Sequence, residues 1–172
     1  MGLAVPYSRS IWERRIMAQS RSGENLIAAA EAIADRAHHG QVDKVGGEYI
    51  VHPRSVATRV TPQSAEYIAT ALLHDVIEDS DITASDLLAE GIPGTVVDAV
   101  TLLTRTEDVA PQEYYARIRT NRMALAVKLA DLADNTDPAR LNRLPDDIQA
   151  RLRIKYRSAY RCLGVESLAD AL

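Results

Sequence analysis

The chain contains no phenylalanine, one tryptophan and one cysteine in 172 residues, and aromatic side chains make up only 5% of it. A core without phenylalanine must be filled mostly by Ala, Leu, Ile and Val, which suits helices packed through small side chains. A lone Cys162 excludes an intramolecular disulfide and fits a reducing compartment, so a cytoplasmic location is expected. No apolar run approaches the ~20 residues of a membrane span, and the first residues lack the short apolar block of a secretory signal. An excess of basic charge is missing too: the net charge is −4, and there is no dense Lys/Arg block. Nucleic acid and membrane are therefore not expected as partners, although a local basic pocket is compatible with this balance. What is plentiful is hydrophobic content, 47%, in a chain long enough for one domain and too short for two comfortable ones.

The periodicity is helical almost throughout. Residues 1–22 read as an arm or a short helix able to dock through Trp12 and Ile16, ahead of a domain spanning residues 23–172. From Glu24 to His39 the stretch "ENLIAAAEAIADRAHH" sets Leu26, Ala29, Ile33 and Ala37 on one apolar face. "GQVDKVGGEYIVHP" breaks that pattern with glycines and a proline and reads as a loop, after which Pro53 suits the first turn of a helix. One longer helix is expected from about Gln63 to Asp79. Thr83 should cap the next with Asp86 as reciprocal partner, and Gly91 should end it. Pro93 and Pro111 open two further helices, and "RMALAVKLADLADN" and "DDIQARLRIKYRSAYRCLG" complete the count. No repeat, low-complexity segment or strand period is present, so the fold class is all-α.

One stretch needs a chemical explanation. "ALLHDVIEDS" threads His74, Asp75, Glu78 and Asp79 through an apolar helix, and ionisable groups there are costly unless paired, hydrated or bound to a cation. On a helix His74 stacks over Glu78 and Asp75 over Asp79, while the neighbours His74 and Asp75 point about 100° apart. The stretch is either the wet face of an ordinary helix or one wall of a metal site. "EYIVHP" adds His52 at the mouth of a helix. "KLADLADN" adds Asp131 in an otherwise apolar helix, with Asp134 and Asn135 following.

Together, "GQVDKVGGEYIVHP", "LLHDVIED" and "KLADLADN" resemble, in order and spacing, the HD-domain metal-dependent phosphohydrolases, and among them the RelA/SpoT-type hydrolase domain. The family pattern runs close to "GQ-x-RK-x-G-x-PYI-x-HP", "LLHD-x-x-ED" and "KLADR-x-x-N", and the likeness extends from about Leu26 to Leu144. It implies a single compact helical HD-domain fold. With no synthetase segment following, it also implies the stand-alone small alarmone hydrolase type. Carried over by position, it makes His52, His74, Asp75 and Asp131 metal ligands, a mixed N/O set that suits Mn²⁺ without excluding other divalent metals. It makes Glu78 and Asp79 the pair that activates water, and Lys44, Tyr49 and Asn135 substrate contacts. The implied reaction removes the 3′-pyrophosphate from a nucleotide such as ppGpp or ppApp, in the chemistry of the stringent response. The implied partner is thus a small nucleotide, and an oligomer stays open.

Departures from the pattern cluster away from the ligands. Asp43 stands for an arginine, Val45 for an acidic residue, Glu48 for proline, Leu132 for arginine and Asp134 for histidine. The base surroundings are thereby altered, and both guanine and adenine stay open. Asp43 is expected beside the base, so that arginine there should shift preference towards guanine. Arg151 is a candidate phosphate contact from the last long helix. His38, His39 and Lys128 read as structural or paired, Cys162 as a core residue, and Asp134 as solvated or standing behind a ligand. Two other readings remain: an HD-type phosphatase acting on a nucleoside monophosphate or NADPH, and a nucleotide-binding regulator without turnover. The intact Glu78–Asp79 pair speaks against the regulator.

Overall fold

The computed structural model describes the backbone of residues 11–44 and 46–172, and the side chains of residue 20, residues 22–44 and residues 46–172. Among the described residues there are eleven helices and no strand beyond an isolated Val42–Glu48 bridge. The helices are α1 (Ile11–Ala37), α2 (Val51–Arg59), α3 (Ala65–Leu73), α4 (Val76–Asp79), α5 (Ala84–Ala89) and α6 (Gly94–Leu103). They continue as α7 (Pro111–Arg119), α8 (Arg122–Asn135), α9 (Pro138–Leu141), α10 (Asp146–Cys162) and α11 (Glu166–Asp170). The all-α expectation holds.

Helix α3 is the hub. Its last five residues, Ala69 to Leu73, are all buried, and α1, α2, α6 and α8 pack around it. Small side chains let these axes come close. A Cβ on Gly23 would stand 3.1 Å from the Cβ of Ala65, so this glycine marks a close approach between α1 and α3. Helix α1 accordingly runs through Gly23 from Ile11, well before the Glu24 start expected from the pattern. Its buried face centres on Ala30, Ile33 and Ala34, with Leu26, Ala29 and Ala37 only flanking it. Alanines lie on several sides of this stretch of α1, so the packing of its neighbours decides which of them are covered. The docking expected of Trp12 and Ile16 lies outside the described residues.

The capping signals in the sequence are realised. Thr83 and Asp86 form a reciprocal capping box on α5, and Gly91 follows with φ +84°. Pro111 is the first residue of α7, and Asn121 caps α8 by accepting from the N–H groups of Met123 and Ala124. One expectation fails where it matters most. The helix foreseen from Gln63 to Asp79 is two helices, because the backbone turns at His74 and Asp75, where Asp75 has φ −103° and ψ −4°. The short helices α9 and α11 were not foreseen; four or five residues are too few to show a period.

Candidate metal and nucleotide site

Three elements bring four candidate donors close together, with Asp131 beside the two imidazoles of the His52–His74–Asp75 group. His52 sits in the first turn of α2, His74 and Asp75 at the carbonyl end of α3, and Asp131 in the middle of α8. The turn after α3 undoes the divergence that neighbours on a helix would have, and Asp75 Oδ2 comes to 3.0 Å from His74 Nε2. His52 Nε2 lies 3.2 Å from Asp131 Oδ1 and 3.8 Å from Asp75 Oδ2, while His74 Nε2 is 3.9 Å from Asp131 Oδ1. His52, His74 and Asp75 alone already place one donor each within 4.8 Å of one another.

The second nitrogen of each imidazole is engaged from behind. His74 Nδ1 donates to the Ala71 carbonyl at 2.8 Å, and His52 Nδ1 donates to Asp134 Oδ2 at 2.7 Å. With Nδ1 engaged in this way, both rings leave Nε2 facing the carboxylates, where it can hold a proton or, once deprotonated, bind a metal. His74 Nε2 is fully buried, and its 3.0 Å approach to Asp75 Oδ2 is not aligned as a hydrogen bond. A lone pair facing carboxylate oxygens is unfavourable unless a cation stands between them, so the donor set fits a divalent ion. The carbonyl end of α3 points its partial negative charge at the same place.

Electrostatics agree. Burial opposes charge on His52, yet hydrogen bonds to Asp131 and Asp134 raise its pKa to about 9. Burial works against ionised Asp131 too, but Lys128 and the two histidines hold it well below the usual carboxylate range. Lys128 donates to Asp131 Oδ2 at 2.8 Å and Asn135 donates to its Oδ1, while the Tyr49 hydroxyl donates to Asp75 Oδ2 at 2.6 Å. The site gathers negative charge, which favours a cation there, proton or metal.

Glu78 and Asp79 stand one turn on, at the mouth. Burial and the nearby Asp75 and Asp79 carboxylates raise the Glu78 pKa, against the pull of a 2.7 Å hydrogen bond from the Arg105 N–H. Asp79 is raised by burial and by Asp75. Gln41 ties this end of α4 to the preceding loop, donating to the Asp79 carbonyl at 2.8 Å, and buried His38 in turn holds Gln41 through Nδ1 at 2.9 Å.

A cavity of about 420 Å³ opens from these residues. Lys44, Tyr49 and Asn135 line it, in the positions the sequence suggests. Asp43 lines it too, but its Oδ1 accepts from the Gly47 N–H at 2.8 Å and its Oδ2 lies 3.5 Å from Arg140, so its carboxylate serves the loop. Arg151 is not among the lining residues. It is exposed on α10, and Lys155, one turn further, is the α10 cation that faces the cavity. The sequence reading also missed Arg105, Arg140 and Tyr156; the Leu152–Tyr156 spacing on α10 was the available signal, and it looks like ordinary core. Asp134 is 4% exposed, which removes the solvated reading. Cys162 is only half-buried.

Comparison with known proteins bears on the sequence and the fold. No family model matches the chain. It is 36% identical over 131 residues, 70% of its length, to the guanosine-3′,5′-bis(diphosphate) 3′-pyrophosphohydrolase of Vibrio cholerae, of which it covers 18%. It is 30% identical over 141 residues, 74% of its length, to the GTP pyrophosphokinase of Myxococcus xanthus, of which it covers 19%. The chain thus spans about a fifth of the length of the curated relatives it matches. A solved structure described as a metazoan ortholog of SpoT that hydrolyzes ppGpp superposes with a TM-score of 0.65. That match covers 85% of this chain and 92% of the other at 22% identity, a likeness of fold. The fold is the all-α HD-domain fold that this structural neighbour shares. Within that class the chain is a relative of the RelA/SpoT proteins.

Proposed function

We propose that the chain is a metal-dependent pyrophosphohydrolase acting on a nucleotide phosphorylated at both its 5′ and 3′ positions, such as ppGpp or ppApp. The observation that carries this reading is a cavity with two distinct ends. At one end two imidazoles and two carboxylates approach within 3.0 to 3.9 Å. At the rim Lys44, Arg105 and Lys155 face one another closely enough that burial and these like charges lower the Lys155 pKa. Gathered cations are costly unless an anion neutralises them, so the cavity suits a ligand with phosphate groups at separate points. The relatives' names supply the nucleotide.

His52, His74, Asp75 and Asp131 would hold the ion, for which Mn²⁺ is our choice from the mixed N/O donors. Bound there, it supplies Lewis-acid polarisation of the phosphate and acidification of water. The chain's own residues do the rest. Glu78 takes a proton from the attacking water, and its raised pKa makes it a better base than an ordinary carboxylate. Asp79 orients that water. The water oxygen bonds to the phosphorus that carries the 3′ oxygen, the bond from that phosphorus to the 3′ oxygen breaks, and the 3′ oxygen takes up a proton, leaving pyrophosphate and a nucleoside 5′-di- or triphosphate. A nucleotide substrate and a single Cys162 suit a reducing, cytoplasmic setting.

The test is purified protein with Mn²⁺ against ppGpp, ppApp, NADPH and nucleoside monophosphates, with products resolved by chromatography. Pyrophosphate released from the first two is the expected result. Orthophosphate from NADPH or a monophosphate alone would replace this reading with that of a phosphatase.

A further inference from the structure

Asp134 stands where the family pattern that the sequence resembles has histidine, and the structure gives it an unusual setting. It is buried in α8, one turn beyond Asp131, and gathers donors from two other elements, α2 and α9. His52 Nδ1 reaches its Oδ2 at 2.7 Å, and Arg140 Nη1 reaches the same oxygen at 2.9 Å. Ser55 Oγ donates to Oδ1, with Arg59 Nε 3.4 Å away. Arg140 extends its other nitrogen, Nη2, to within 3.5 Å of Asp43 Oδ2, and Asp43 closes the loop by accepting from Gly47. One continuous path of polar contacts therefore runs from His52 through Asp134 and Arg140 to the loop that carries Lys44 and Tyr49.

We infer that Asp134 is a positioning residue that fixes the orientation and tautomer of His52, and that Arg140 extends this support to the loop over the cavity. The inference rests on the reading of His52 as a metal ligand. An imidazole can carry its proton on either nitrogen, and only the Nδ1–H form presents a lone pair at Nε2. The carboxylate behind the ring selects that form and stops it rotating. Arg59 and Arg140 keep the carboxylate itself from turning away. A nucleotide that orders the loop would, through Arg140, meet a ring already held for its ion.

The first measurement separates this inference from the reading beneath it. Mn²⁺ titration with a competing chelator should show one site in the wild-type protein that is lost in His52→Ala. An unaltered site in His52→Ala removes the ligand assignment, and the inference with it. Given that site, Asp134→Ala and Asp134→Leu should weaken Mn²⁺ binding by ~10–100-fold, the range for residues that orient ligands. Asp134→Asn, which keeps an oxygen for the His52 N–H, should recover most of it. Wild-type affinity in either truncation, or an asparagine no better than alanine, overturns the role of Asp134. Should neither truncation fold, ¹⁵N spectra of wild-type protein loaded with Zn²⁺ still decide: His52 should bind through Nε2 and keep its proton on Nδ1, and the reverse overturns the inference. Arg140→Ala should lower Mn²⁺ affinity severalfold and speed hydrogen exchange at the Gly47 amide. Unchanged exchange there would remove Arg140 from the path.

Discussion

The two ends of the cavity are built on different principles. The donor end rests on the core: His74 terminates the most enclosed helix, and His52, Asp131 and Asp134 are buried against α2, α3 and α8. The rim comes from edge elements, a loop of glycines, the four-residue α9 and the exposed side of α10, and Lys44, Arg105 and Lys155 are exposed there. Chemistry that depends on tenths of an ångström is placed on the rigid part, and recognition on the part that can change without unfolding the domain. Substitutions should therefore fall into two groups: those at the donor end abolish turnover, and those at the rim tune which substrate is turned over.

The largest effect is expected from Asp75→Ala. It removes a donor 3.0 Å from His74 and 3.8 Å from His52 and leaves the Tyr49 hydroxyl without its acceptor. Elemental analysis should show the protein without its divalent ion, and kcat/KM should fall by more than the ~10²–10⁴ that a general base is worth. Full metal content in that variant would dissolve the contrast between the two ends.

Glu78→Gln comes next, and it should separate metal binding from chemistry. Metal content and KM should hold while kcat falls by ~10²–10⁴. The acidic side of the pH profile tests the same residue. A base works only when ionised, and burial with Asp75 and Asp79 nearby raises the Glu78 pKa. At saturating metal, kcat should be full at high pH and decline as the pH drops through that raised value, earlier than an ordinary carboxylate would dictate. The glutamine variant should lose this limb. If it keeps the wild-type profile, some other group is the base.

The same contrast governs how much could be read from the sequence. His74, Asp75, Glu78 and Asp79 lie within six positions, so their proximity is local and a helical period reveals it. His52 and Asp131 were joined to that group only through the family resemblance carried by "EYIVHP" and "KLADLADN". What stayed hidden is tertiary. Nothing local to Asp134 announces that it ends 2.7 Å from His52, which is 82 positions away. Nor does the run around Arg140 show that it bridges to Asp43. The break between α3 and α4 was missed because His74 and Asp75 fit a helical pattern, and only the convergence of their side chains gives it a purpose. Lys155 lost out to Arg151 because two cations one turn apart look alike until the surroundings say which faces inward.

At the rim, Lys155→Ala should raise KM about tenfold. A charge-assisted contact with phosphate is worth ~1.5–3 kcal/mol, and partial exposure reduces that. The kcat should stay within about twofold, since the donor end is intact. Arg151→Ala, the control one turn away, should change neither. If Arg151 matters and Lys155 does not, the α10 face has been assigned the wrong way round.

The smallest effect, and the sharpest test of the division, concerns Asp43. The sequence puts it beside the base, where arginine would be expected to favour guanine. In the structure its carboxylate closes the loop on the Gly47 N–H and faces Arg140. Asp43→Arg therefore removes a turn-closing acceptor, worth about 1 kcal/mol, and sets one guanidinium against another. Like charges drive the new side chain outward rather than over a base, so the loop should loosen and KM should rise for both nucleotides together. The ratio of kcat/KM for ppGpp over ppApp should stay within about twofold of wild type, because a cation–π gain of ~0.5–2 kcal/mol arises only if the guanidinium covers the ring. Asp43→Asn, which keeps an oxygen for Gly47 without the charge, should give a smaller rise in KM than the arginine. A severalfold swing of the ratio towards guanine in Asp43→Arg, with KM unharmed, would show that position 43 reads the base after all and that the loop tolerates losing its carboxylate.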